Sequence, residues 1–177
     1  MIPKKRTPLT TKKASLRTHI ETNRAALAGR KTKPVLRVYQ NKAGETFTAQ
    51  RTYTGRNTQG KNERNFSVSI NKAGAGTFAT AHLQLFPSPK VSAINGREIY
   101  IFDVATSRFH ANPDAKKGRD VFGMVVDECK ELGKKEFGNN PFNVTLLANN
   151  KTTAVHYHSF GFELLSSAPL EMFLRVN

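Results

Sequence analysis

The sequence predicts an α+β fold, and three observations lead there. Two alternating stretches in the first half, each bent on a turn rich in Asn, Ala or Gly, read as β-hairpins. An Ile-, Tyr-, Phe- and Val-rich run over residues 97–106 reads as a central strand, followed by a run with helical apolar spacing. A third segment, 144–165, reads strand, helix, strand.

The elements follow in chain order. Residues 1–14 form a basic, Pro- and Thr-containing arm with little to bury, expected to be disordered unless bound. Residues 15–27 read as a weakly amphipathic helix, with Leu16, Ile20 and Leu27 on one side and Gly29 at its end. Residues 35–39 and 46–53 alternate and join through Asn41-Lys42-Ala43-Gly44, the first hairpin. The polar loop 55–62 then marks a boundary between an N-terminal extension, 15–63, and a domain over 64–177. Residues 66–70 and 77–85 form the second hairpin around Ala73-Gly74-Ala75-Gly76, ended by Pro87 and Pro89.

The strand over 97–106 carries Asp103 among Ile101, Phe102 and Val104, and runs into a polar loop with Pro113 and Gly118. A helix over 121–132 places Val121, Met124, Val125, Cys129 and Leu132 on one face. Gly133 is its expected stop, and Lys134-Lys135 suit the negative end of the helix dipole. The loop before it, basic through Lys116, Lys117 and Arg119, opens a helix N-terminus, where free N–H groups and the dipole together favour an anion. A solvated basic turn is the plain alternative. Residues 144–147 read as a buried strand, and Asn149 or Asn150 caps a short helix from 151 to about 159. Gly161 closes that helix, and the chain resumes as a strand over 162–165.

Within that last segment Asn150, Tyr157 and Gly161-Phe162 are spaced as Asn, six residues, Tyr, three residues, Gly-Phe. The spacing resembles the strand–helix–strand signature of the GNAT superfamily of acyl-CoA N-acyltransferases, and the order of strand, basic loop, helix and strand before it extends the resemblance over about 64–177. Thr153 and His156 depart from it, standing where the family usually has alanine and a large apolar residue. The loop departs too, since pinning its glycine pattern on Gly118 puts Ala115 first and Asp120 last.

The resemblance implies a mixed, mostly antiparallel twisted sheet flanked by helices. It implies acetyl-CoA as co-substrate, with pantetheine bonded to the backbone of Val104, Ala105 and Thr106. Lys116, Lys117, Gly118, Arg119, Asp120 and Val121 would form the pyrophosphate site, and Asn150 would lie beside the cofactor arm. Tyr157 would protonate the departing thiolate, and Asp103 would deprotonate the acceptor ammonium or else be a structural aspartate. The usual two helices between the first two strands are replaced here by a helix and a hairpin, so the acceptor side is remodelled.

Composition bounds the partners. Net charge is +15 over 177 residues. Residues 1–63 hold fifteen Lys and Arg against three Glu, a net +12, while 64–177 hold thirteen against ten acids, a net +3. A cation so placed attracts anionic acceptors and repels Lys-rich tails, and residues 1–63 are the expected contact for nucleic acid or another polyanion. The single cysteine excludes a disulfide framework, and Cys129 reads as core. His156 and His158 diverge on a helix, so no metal site is expected. No stretch has the length of a membrane span, and the start lacks an apolar signal centre, so the expectation is an intracellular protein. Two functions are expected from different classes. One is acetyl transfer to an amine on an anionic molecule. The other is a non-acylating protein of the same fold that binds nucleic acid or serves in an assembly.

Overall fold

The computed structural model describes residues 33–41, 43–56, 63–87, 96–106 and 115–177, with Thr106 and residues 115–120 described by backbone path. The arm over 1–14, the helix expected over 15–27 and the loop residues 107–114 lie outside the described residues.

Strands β1 (Val35–Gln40) and β2 (Thr46–Arg56) form the first hairpin, with Tyr39 opposite Phe47. The turn is held by Asn41, whose Oδ1 accepts the N–H of Ala43 at 3.0 Å and of Glu45 at 2.8 Å. Strands β3 (Arg64–Lys72) and β4 (Gly76–Phe86) form the second, and β2 pairs with β3 along most of its length, so both hairpins share one sheet. Strand β5 (Arg97–Thr106) pairs antiparallel with β4 and parallel with β6 (Phe142–Leu147). The parallel pair is joined by helix α1 (Ala115–Phe137), the crossover such a pair needs. After β6 come helix α2 (Lys151–His158), β7 (Glu163–Ser167) and β8 (Leu170–Val176). Strand β8 pairs with β6 and leaves β7 at the edge, giving the order β1-β2-β3-β4-β5-β6-β8-β7. The fold is α+β, a mixed and mostly antiparallel sheet with helices against it, as expected.

The apolar stripe of α1 explains its place. Val121, Val125 and Cys129 are fully buried, and Met124 and Leu132 nearly so, against alternate residues of the sheet such as Ala49, Val68, Ala81, Leu83, Ile99 and Val144. Burial pushes the Cys129 thiol pKa up, which suits a core residue and not a nucleophile. The polar side of α1 reaches the first hairpin through Glu128, which is 1% exposed. It accepts a 2.7 Å bond from the Arg51 guanidinium and a 2.7 Å bond from the Tyr39 hydroxyl, with Arg37 Nε at 3.4 Å.

Both ends of α1 correct the expectation. It begins at Ala115, not Val121, so Lys116, Lys117, Gly118, Arg119 and Asp120 belong to its first two turns instead of a loop. A run of polar residues has no apolar period to announce a helix, yet Ala, Lys and Arg are all good helix formers. The helix also passes through Gly133 to Phe137, and Gly138, at φ +63°, ends it with its N–H donated to the Lys134 carbonyl at 3.0 Å. Gly133 is helical because of what crosses it: a Cβ there would stand 2.2 Å from Cζ of Phe142. Its lack of a side chain lets β6 approach the helix.

Candidate active site

Strands β5 and β6 run side by side from the pair Arg97–Phe142 to the pair Ile101–Leu146. Past Ile101 they part. β5 stays bonded to β4 through Asp103–His82, Val104–Ala81, Ala105–Thr80 and Thr106–Ala79, but those residues have no partner on β6. A register shift between His82 and Leu83 puts two β5 residues against one of β4, and a bulge of this kind bends and twists its strand. Beyond Leu147 the chain turns toward β8, with the Ala148 N–H donated to the Leu170 carbonyl at 2.9 Å. The two parallel strands therefore open at their carboxyl ends, with the β6-facing backbone groups of 102–106 outside any ladder. In sheets with parallel strands this is where ligands bind.

Both helices border the opening. α1 starts there, and its N–H groups without a partner inside the helix belong to its first residues, 115–117. Arg119, Asp120 and Val121 lie deeper in the helix, where N–H groups join the helical ladder, and the Val121 side chain is fully buried in the core. The Val121 side chain therefore packs in the core.

α2 begins at Asn150, whose extended backbone (φ −158°, ψ 173°) and side chain make an N-cap. Its Oδ1 accepts the Thr153 N–H at 2.8 Å and the Thr153 hydroxyl at 3.0 Å, so Thr153, in place of alanine, reinforces the cap. Gly161, at φ +88°, follows the helix and lets Phe162 turn in to full burial. The Tyr157 ring packs 4.9 Å from Phe122 and 6.2 Å from Phe162, centroid to centroid. Burial raises the Tyr157 pKa, so the phenol keeps its proton at neutral pH. Its hydroxyl makes no hydrogen bond to another described residue. His156 lies 6.1 Å from the Phe122 ring and 5.3 Å from Phe160, while His158 Nδ1 is 2.9 Å from the Phe162 carbonyl oxygen. The two histidines thus have different neighbours.

The other expected site residues line β5. Asp103 and Ala105 are exposed, and Val104 is half-buried against the core. The structure thus puts Asp103–Thr106, the start of α1 and the helix of Tyr157 at the same end of the sheet. It also brings in rings that no local motif marks. Phe122, 5% exposed, touches His156, Tyr157, Phe160 and Phe162, and so joins the two helices. His82, Tyr100 and Phe102 form a row on the sheet, a signal present in the alternation of β4 and β5.

No family model matches the chain, and no curated protein matches it. Among solved structures the chain is similar in fold to acetyltransferases. AtaTR bound with acetyl-CoA shares 14% identity over 64% of this chain and 67% of that one, with a TM-score of 0.45. A GNAT-family acetyltransferase from Listeria monocytogenes shares 12% over 62% and 63%, with a TM-score of 0.39. Arabidopsis thaliana NAA60, in complex with a bisubstrate analogue, shares 10% over 67% and 78%, with a TM-score of 0.38. At such identities and TM-scores the likeness assigns no role to any residue here. Among the described residues no helix is long and apolar enough to cross a membrane.

Proposed function

We propose that the chain transfers an acetyl group from acetyl-CoA to an amine acceptor carried on an anionic molecule. The observation that supports this reading most is the parting of β5 from β6 beyond Ile101, bordered by the start of α1 and by Tyr157.

In this reading the β6-facing backbone of Val104, Ala105 and Thr106 takes the place of a missing strand and bonds the pantetheine amides. The first turn of α1, with Lys116, Lys117 and Gly118 and then Arg119, receives the pyrophosphate through free N–H groups and positive charge, which offset Asp120. Asn150 acts through the helix that it caps. The acceptor gives up a proton to Asp103, directly or through water, and the neutral nitrogen attacks the thioester carbonyl. A C–N bond forms, the C–S bond breaks, and the Tyr157 hydroxyl passes its proton to the departing sulfur. The phenolate left behind takes up the surplus proton of the new amide nitrogen, directly or through water. A phenol with a raised pKa is protonated at the start of each cycle, as that step requires.

The net charge of +15 favours an anionic acceptor, and residues 1–63 are the proposed contact for nucleic acid or another polyanion inside the cell. Acetyl-CoA titrated against the protein should raise its melting temperature with concentration, because a ligand of the native state stabilises it. No rise at saturating acetyl-CoA contradicts this reading. The concentration of charge in 1–63 would then favour the second, a non-acylating protein that binds nucleic acid.

A further inference from the structure

The end of the sheet away from the opening gathers cations on the face that α1 covers. Strand β2 finishes there at Arg56, β3 starts there at Arg64, and β5 starts there at Arg97. The register sets Arg56 directly opposite Arg64. Arg64 shares a face with Phe66 and Val68, and Arg97 shares one with Ile99, so alternation turns both toward α1. Arg64 meets that helix at 2.6 Å, on Glu136, which brings Lys134 and Lys135 of the last turn to the same end.

The acids nearby are already taken up. Glu136 is held by Arg64 and Glu131 by Arg37 at 3.0 Å, while Glu63 and Glu98 are buried. Arg56, Arg97 and Lys135 make no ion pair with another described residue. Arg56 and Lys135 are exposed, and Lys134 keeps 62% of its side chain in solvent. Like charges directly opposite on neighbouring strands are destabilising, and Glu136 pairs with only one of the two guanidiniums. The fold thus keeps a repulsion that a bound anion relieves.

The extent of the cluster points to the kind of anion. From β2 to β5 is three strand spacings, about 14 Å, which is the axial length of about four phosphates on one strand of a duplex. Separate cations in a row of that length match a chain of phosphates better than one compact ion, and guanidiniums take phosphate through two parallel N–H bonds. Strand β1 runs toward the opening, so the chain before it, residues 1–32 with nine Lys and Arg against Glu21, joins the sheet from the far side.

We propose that Arg56, Arg64 and Arg97, with Lys134 and Lys135, bind the phosphate backbone of nucleic acid at a surface separate from the opening. This surface carries the contact beyond residues 1–63 and does not depend on acyl transfer.

The test titrates a labelled duplex of mixed sequence with the full chain, by fluorescence anisotropy over a range of salt. Arg56→Gln with Lys134→Gln and Lys135→Gln should weaken binding and make the slope of log affinity against log salt shallower by about 2.7, or 0.9 for each of three contacts. Arg56→Gln alone should take about 0.9 from the slope, whereas Lys151→Gln, an equal loss of charge at the other end of the sheet, should leave it unchanged. The single variant keeps the test open if the triple one fails to fold. Wild-type slopes in the Arg56 variant and the triple variant overturn the proposal. A duplex displaced by saturating acetyl-CoA would put the phosphates in the opening and overturn it as well. Binding to vesicles of anionic lipid with none to the duplex would make the partner a membrane surface, and the proposal would fall.

Discussion

The ring of Phe122 stands 4.9 Å from the ring of Tyr157, their planes tilted by 34°. This contact ties the second turn of α1 to α2, although 34 positions of chain hold β6 between them. Phe162 closes the cluster from below, fully buried and 6.3 Å from Phe122. The Tyr157 phenol is thus fixed by packing, and the helix that begins at the opening fixes it.

Gly133→Ala tests how closely the crossover helix meets the sheet. Alanine gains about 1 kcal/mol of helix propensity over glycine. Against that, its Cβ would meet Phe142 at 2.2 Å, and Phe142 is itself 3% exposed and 5.6 Å from Phe137. Overpacking of this kind costs about 1–3 kcal/mol. The clash should win, and the denaturation midpoint should fall. A variant more stable than the wild type would show that the ring moves aside.

Glu128→Gln should destabilise by about 3–5 kcal/mol, because it leaves the Arg51 guanidinium, 4% exposed, buried without its countercharge. Replacing both residues by apolar ones, Arg51→Met with Glu128→Leu, should recover most of that loss. Chemical denaturation of the two variants checks the pair. A single variant as stable as the double one would mean that the charge at Arg51 is met elsewhere.

Reversing the charge at the start of α1, by Lys116, Lys117 and Arg119 to Glu together, should abolish acetyl-CoA binding and leave the fold intact. Acids in the first turns favour the helix dipole, so the helix itself does not suffer. Calorimetric titration reads the affinity. Unchanged affinity would remove the pyrophosphate from this helix.

Deleting residues 1–14 takes away Lys4, Lys5, Arg6, Lys12 and Lys13. Polyanion binding should weaken, and the slope of affinity against salt should become shallower, since fewer counterions are released. The melting temperature should hardly change. Binding that keeps the wild-type affinity and salt slope would place the contact elsewhere.

Much of this architecture is legible in the residues. Strand β5 carries its β-branched and aromatic run over the full Arg97–Thr106, and the Asn41–Glu45 turn marks the first hairpin within a residue. Asn150 and Gly161 bracket α2 because capping and a positive φ are local demands on residue type. Strand β8 carries no such local signal. Its sequence, LEMFLRV, has only Met172 fully in the core, and its identity as a strand depends on insertion between β6 and β7. Gly133 misled for the same reason, since a local stop signal was answering a distant ring. Of the site, Asp103 and Tyr157 stood out by type and spacing. Phe122 and the row of His82, Tyr100 and Phe102 are defined by neighbours far along the chain, which periodicity alone does not disclose.

The central claim is tested most directly by Tyr157→Phe, assayed for acetyl transfer to an amine-bearing nucleotide and, on the same protein, for acetyl-CoA affinity. The change removes a hydroxyl and keeps the ring packed on Phe122, so folding and affinity should stay close to wild type. A positioned proton donor is worth roughly 10²–10⁴ in rate, and kcat should fall by that order. The wild-type rate should also decline at alkaline pH only above the ordinary phenol range, because burial raises the Tyr157 pKa and the acid form is the active one. Turnover unchanged in the phenylalanine variant, with the same pH profile, would contradict the assignment of Tyr157 as the acid.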